Sequence, residues 1–316
     1  MKKVVVFGGG TGLSFLLSGL KLFPIDVTAI TGVSDNGSST GILKEELDIP
    51  AVGDIGKVLI SMANVDEDFV KLLKYRFTKE SFLKNHPIRN ILLAALIDIK
   101  GNITDATKYM CELLEIKGAV YPLCEDNIEL IGCTKKGKKY IGEEEVSKNA
   151  KYIEELKYDK DIKVKKEILE KIEEADLIIF SPGSLYTSIL PHLIVPEIKE
   201  SIKKSEGKIM YISNLVTQPG ETDGFTVSNH LNIINKYLEY RKIDVVVANN
   251  GIIDKNILKK YSTLEKKELV KIDTKDIEKI DARLIEDKIY AIDEGLIRHD
   301  AFKTAYIIFS YLMEGE

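Results

Sequence analysis

The chain has 316 residues, 44% of them hydrophobic and 30% charged, with a net charge of −5. That length allows one large α/β domain or two smaller ones, and the balance is that of an ordinary globular protein. The negative charge argues against nucleic acid as the main partner, because phosphate backbones are held by clustered excess Lys and Arg.

Val4-Val5-Val6-Phe7 reads as a buried strand. It runs into Gly8-Gly9-Gly10-Thr11-Gly12, after which Leu13, Leu16, Leu17 and Leu20 recur at helical spacing. A glycine loop opening onto a helix N-terminus offers unpaired N–H groups and a partial positive charge, which suit a phosphate or carboxylate. Counted from Gly8, a dinucleotide fingerprint would end at Leu13, and no Gly-Lys-Ser/Thr follows. The loop therefore indicates a nucleotide or phosphate without specifying NAD.

Val27-Thr28-Ala29-Ile30-Thr31 is a second strand, ending in a small polar loop that holds Asp35, Asn36 and Ser38. An acid just past the second strand is placed to hold a ribose hydroxyl, or Mg²⁺ against phosphates. Over residues 57–116 the apolar positions recur at three and four, which predicts a helical insertion. Inside it, His86 and Asn90 flank the start of a helix at 91–99 and read on spacing alone as caps or core residues.

Short strands are predicted at 119–123 and 129–132, a hairpin at 133–145 and an amphipathic helix at 163–174. The sheet resumes with Leu177-Ile178-Ile179-Phe180, followed by Ser181-Pro182-Gly183-Ser184-Leu185-Tyr186-Thr187-Ser188. Ile209-Met210-Tyr211-Ile212-Ser213 ends in Asn214, and Val245-Val246-Val247-Ala248 ends in Asn249-Asn250-Gly251. Arg298 precedes a final helix at 302–313 and could clamp a diphosphate with two parallel bonds. Asp300 beside His299 suits a helix cap better than a catalytic pair.

Five strands thus end in clusters of Gly, Ser, Thr and Asn. In an open parallel sheet those carboxyl ends share one edge, and ligands bind in the crevice there. The predicted fold is α/β and Rossmann-like. It has a mostly parallel sheet, helices on both faces and the insertion at about 57–116, in a single domain over 1–316. The candidate ligand contacts are Gly9, Gly10, Thr11, Gly12, Asp35, Asn36, Ser38, His86, Asn90, Gly183, Ser184, Tyr186, Thr187, Asn214, Asn249, Asn250 and Arg298. Amides and hydroxyls dominate this set, which is equipment for binding more than for acid–base work. Were the chain an enzyme, Asp35 would be its candidate catalytic residue. No cofactor is required by the pattern and no metal cluster is predicted, with Mg²⁺ compatible beside a diphosphate. Cys111, Cys124 and Cys133 lack zinc spacing and cannot all pair, which predicts a reducing, cytoplasmic setting. The apolar run after Met1 meets glycine too early for a signal peptide or a membrane span.

Several blocks resemble one known family. They are Gly8-Gly9-Gly10-Thr11-Gly12, Ser34-Asp35-Asn36-Gly37-Ser38-Ser39, Gly53-Asp54-Ile55, Asn90-Ile91-Leu92-Leu93-Ala94-Ala95-Leu96, the run from Ser181 to Ser188, Gln218-Pro219-Gly220-Glu221-Thr222-Asp223-Gly224 and Arg298-His299-Asp300. The match is to the YvcK family, often labelled gluconeogenesis factors, and it runs from Val4 to near the C-terminus. The resemblance implies a Rossmann-like sheet related to CofD, a transferase that joins phospholactate from a guanosine nucleotide to a flavin-like acceptor. It further implies a cytosolic regulator that binds UDP-sugars, UDP-N-acetylglucosamine above all. Such proteins support gluconeogenic growth, cell shape and wall synthesis. By similarity the Gly8 to Gly12 loop cradles the diphosphate, Arg298 belongs to the UDP-sugar site, and Asp35 matches an acid that holds metal and substrate in CofD. A Mg²⁺-dependent CofD-like transferase acting on a nucleotide-diphosphate-linked substrate is the alternative. A homo-oligomer and a downstream protein target are compatible with the sequence and not specified by it.

Two departures stand out. Where the family more often reads Asp-Asp-Gly-Gly-Ser-Ser, this chain has Ser34-Asp35-Asn36-Gly37-Ser38-Ser39, which removes one acid from a two-carboxylate Mg²⁺ site. Where the family tends to Gly-His-Ser-x-Gly-Asn, this chain has Asn85-His86-Pro87-Ile88-Arg89-Asn90, so Arg89 replaces a small residue.

Overall fold

β1 (Lys3–Gly8) is buried at every position after its first because both of its faces are covered. Val4 and Val6 enter one core while Val5 and Phe7 enter the other, as the pleat of a strand requires. The computed structural model describes residues 1–314 and builds a seven-stranded, wholly parallel sheet around this strand.

β2 (Asp26–Thr31) and β3 (Ala119–Pro122) lie successively on one side of β1. β4 (Leu130–Thr134), β5 (Lys139–Ile141) and β6 (Ile153–Tyr158) form a separate antiparallel sheet. The main sheet continues on the other side of β1 with β7 (Leu177–Phe180), β8 (Lys208–Ile212), β9 (Val245–Asn249) and β10 (Arg283–Asp287). β11 (Tyr290–Asp293) and β12 (Leu296–His299) make a hairpin. The chain thus steps outward in opposite directions from the β1–β7 pair. This is the topological switch point, where the crevice of such a sheet opens.

One face of the sheet packs against α1 (Gly10–Leu20) and the terminal helix Ala301–Met313, through Leu13, Leu17 and Ile308 among others. The opposite face is covered by the helices Lys166–Glu173, Pro196–Lys204 and Val227–Leu238, through Ile168, Ile198 and Leu231. Between β2 and β3 run α2 (Ser38–Leu47), α3 (Gly53–Met62), α4 (Glu67–Lys74), α5 (Ile88–Lys100) and α6 (Ile103–Leu113).

The helical stretch therefore begins at Ser38, not near 57 as the periodicity predicts. The first turn of α2 is Ser-Ser-Thr-Gly, which propensity reads as loop. β10 also departs from expectation. It is an edge strand with three charged residues in five, which guards a sheet edge but hides the strand in the sequence. Among the described residues, no helix is long and apolar enough to cross a membrane.

α1 meets the terminal helix at Gly19, where an added Cβ would lie 2.1 Å from the carbonyl oxygen of Ala301. Gly19→Ala should lower unfolding stability by about 1–3 kcal/mol through overpacking, outweighing alanine's better helix propensity. Urea unfolding checks this, and a variant as stable as wild type would contradict the packing.

Candidate functional site

The glycine loop is shaped first by its protein neighbours. Gly10 has φ +61° and opens α1, and its N–H donates to Asp54 Oδ2 at 2.6 Å. Asp54 lies in the first turn of α3 and also accepts from Lys57 Nζ, one turn on, at 2.9 Å. At Gly12 an added Cβ would fall 2.0 Å from the Pro182 carbonyl oxygen, so the β1 and β7 loops touch backbone to backbone. Thr11 and Gly12 remain on an open cleft. No side chain caps α1 at Gly9, and first-turn N–H groups such as those of Thr11 and Gly12 have no intrahelical acceptor.

The loop after β7 is fixed from below. Ser184 caps the turn Leu185–Ile189, accepting the Thr187 N–H at 3.0 Å and the Thr187 hydroxyl at 2.8 Å. Its own hydroxyl donates to the carboxylate of Glu221 at 2.9 Å. Glu221 is 2% exposed and also accepts the Tyr186 N–H at 3.0 Å. Burial raises its pKa to about 7, against the opposing pull of those donors. Asn214, just past β8, clamps Gly183 from both sides, accepting its N–H at 2.8 Å and donating to its carbonyl at 2.7 Å.

The third wall comes from the β11–β12 hairpin. Glu294 and Gly295 have φ +48° and +75°, the two positive values that a tight two-residue hairpin turn needs. The turn returns β12 with Arg298 facing the cleft, its guanidinium carbon 6.0 Å from the centroid of the Phe15 ring. His299 Nε2 donates to the Ser213 carbonyl at 3.0 Å, and burial lowers the imidazole pKa to about 4. Asp300 caps the terminal helix, accepting from the Lys303 N–H at 2.8 Å.

Thr11, Gly12, Gly183, Ser184, Asn214 and Arg298 thus line one cleft of about 480 Å³ at the switch point, together with Phe15, Gln218, Lys267 and His299. Gly9 and Gly10 sit behind it against Asp54. Tyr186 and Thr187 support it through their bonds to Glu221 and Ser184.

The other candidates lie elsewhere. Asp35 accepts from the Gly37 N–H at 2.9 Å; burial and then the Asp54 charge raise its pKa. Asn36 and Ser38 line a different cleft beside Lys44 and Glu129. His86 and Asn90 do not cap α5, whose cap position is Pro87. They converge on buried Ser39, whose hydroxyl sits 2.8 Å from His86 Nδ1 and accepts from Asn90 at 3.3 Å. Asn249 is spent on the Gly251 and Ile289 N–H groups, and Asn250 is exposed.

Glu221 and Lys267 are absent from the candidates read in the sequence. The block Gln218 to Gly224 was a signal for the first, while Lys267 carries none. Glu143 also approaches the acids of this edge, and burial with the charges of Asp35 and Asp54 holds its pKa well above the usual carboxylate range. Asp54 already accepts from the Lys57 ammonium and from the Gly10 N–H. Among the described residues no three His, Cys, Asp or Glu side chains converge as a metal site.

A parallel, doubly covered sheet with its cleft at the switch point places the protein in the Rossmann-like α/β class. The profile of the family described as "2-phospho-L-lactate transferase CofD" matches residues 4–290, and the chain belongs to that family. It is 39% identical over 308 residues to the gluconeogenesis factor of Halalkalibacterium halodurans, covering 97% of this chain and 95% of that protein. It is 37% identical over 313 residues to the gluconeogenesis factor of Bacillus subtilis, covering 99% and 98%. A crystal structure of a UPF0052-family protein from Bacillus halodurans superposes with a TM-score of 0.93 at 39% identity, covering 98% of this chain and 99% of that one.

Glu221 gives the site a measurable signature. Its folded pKa of about 7 exceeds the 4.5 of an ordinary glutamate, so between these values the folded state holds the extra proton. Its contribution is therefore fully present below about pH 4.5 and declines as pH rises through about 7. Glu221→Gln should remove a pH-dependent loss on the order of 3 kcal/mol across that window. Urea unfolding of both proteins from acid to neutral pH checks this, and parallel profiles would contradict it.

Proposed function

We propose that the switch-point cleft binds a UDP-sugar, UDP-N-acetylglucosamine foremost, and that the chain is a cytoplasmic regulator of gluconeogenic growth, cell shape and wall synthesis. The observation that carries this reading is Arg298, which stands at the same cleft as the first turn of α1 and has no carboxylate partner among the described residues. A guanidinium and a helix N-terminus are two independent reasons for a diphosphate to settle there. The amide of Gln218 and the hydroxyls of Thr11 and Thr217 suit the hydroxyl-rich remainder of such a ligand. A volume of about 480 Å³ is in the range of small-molecule pockets. The names of the relatives support the gluconeogenic role.

The second reading is a CofD-like transferase acting on a nucleotide-diphosphate-linked substrate. It rests on the description of the matching family and on Asp35, an acid whose proton affinity is raised by burial and by Asp54.

Calorimetric titration with UDP-N-acetylglucosamine should give saturable binding with or without Mg²⁺, with the ligand recovered intact after prolonged incubation. Arg298→Ala should weaken it by about 10- to 100-fold, the scale of a lost charged hydrogen bond. Absent binding, or an Arg298→Ala protein that binds equally well, would overturn the proposal. Mg²⁺-dependent loss of the ligand would favour the transferase.

A further inference from the structure

A second cleft of about 510 Å³ adjoins the first and shares only Thr11 and Phe15 with it. Its walls come from α1, α3, α4 and α5, and they include Phe15, Lys57, Ile60, Lys74 and Arg89. Arg89 is the unusual member. It is 8% exposed, its Nε has no hydrogen-bond partner, and no described residue offers it a carboxylate. Burial, and then the charge of another cation, Arg76, lower its pKa to about 10. The fold makes room for it at Gly56, where an added Cβ would come within 3.1 Å of Arg89 Cδ.

A buried, unpaired guanidinium costs free energy in the folded chain unless something outside the chain supplies the counter-charge. Lys74, at the end of α4, likewise has no carboxylate partner among the described residues, whereas Lys57 is held by Asp54. In a chain of net charge −5, this cleft is therefore locally cationic, with an apolar wall formed by Phe15 and Ile60.

We propose that this cleft is a second anion site. It takes a small phosphomonoester, with the phosphate on Arg89 and Lys74 and the organic body against Phe15 and Ile60. The inference does not rest on the uridine-nucleotide reading of the neighbouring cleft.

The test is calorimetry with inorganic phosphate and with phenyl phosphate as probes. Wild type should bind both saturably, and phenyl phosphate more tightly. Arg89→Gln should weaken both by at least about tenfold. In phosphate-free buffer it should raise Tm, because it removes an unpaired buried charge, whereas a purely structural arginine would give a lower Tm on replacement. Lys74→Ala, a change near the surface, should weaken phosphate severalfold and keeps the test open if Arg89→Gln fails to fold. Arg298→Ala should weaken inorganic phosphate, which does not use the shared Phe15 wall, clearly less than Arg89→Gln does. No saturable binding to wild type, unchanged binding in Arg89→Gln, or an equal loss in Arg298→Ala would each overturn the proposal.

Discussion

The backbone of Gly12 lies against the carbonyl of Pro182, and no side chain could stand between them. The rest of the site depends on this approach. It closes the β1 and β7 loops together at the switch point, so that the N-terminus of α1 and the turn after Ser184 share one opening. Asn214 extends the assembly to β8 by gripping Gly183 on both backbone groups, and Glu221 anchors Ser184 from beneath. The hairpin that carries Arg298 then completes the cleft from the far end of the chain.

The same contact explains what the sequence could and could not say. Strands such as Val4 to Phe7 and Leu177 to Phe180 are legible because burial on two faces demands unbroken apolar runs. The five small-residue strand ends pointed correctly to one edge of a parallel sheet. Which loops face one another across that edge was not legible, because it depends on strand order rather than on composition. Gly9 and Gly12 illustrate the limit. Read as a cradle for a ligand, they are required equally by Asp54 and by the Pro182 carbonyl, and a string of glycines looks the same whichever neighbour demands it. His86 and Asn90 read as caps or core residues because they flank a helix start; the structure buries both, and their partner is Ser39, distant in sequence. Arg298 is marked in the sequence by its own chemistry and by the family resemblance, since no local pattern places a residue of β12 beside α1.

Charge is sorted with care around these clefts. Asp54, nearest the glycine loop, is paired with Lys57, and the carboxylate of Glu221 is sunk beneath the floor. The arginines facing the two openings, Arg298 and Arg89, have no carboxylate partner among the described residues. A chain of net charge −5 thereby presents cationic openings on the edge where its sheet places ligands.

The most direct test of this account is a crystal structure of the protein grown with UDP-N-acetylglucosamine. The account predicts the diphosphate between Gly12, Gly183 and Arg298, with the Gly10 N–H still held by Asp54. A ligand seated instead in the cleft beside Asn36 and Lys44, with Arg298 untouched, would contradict it.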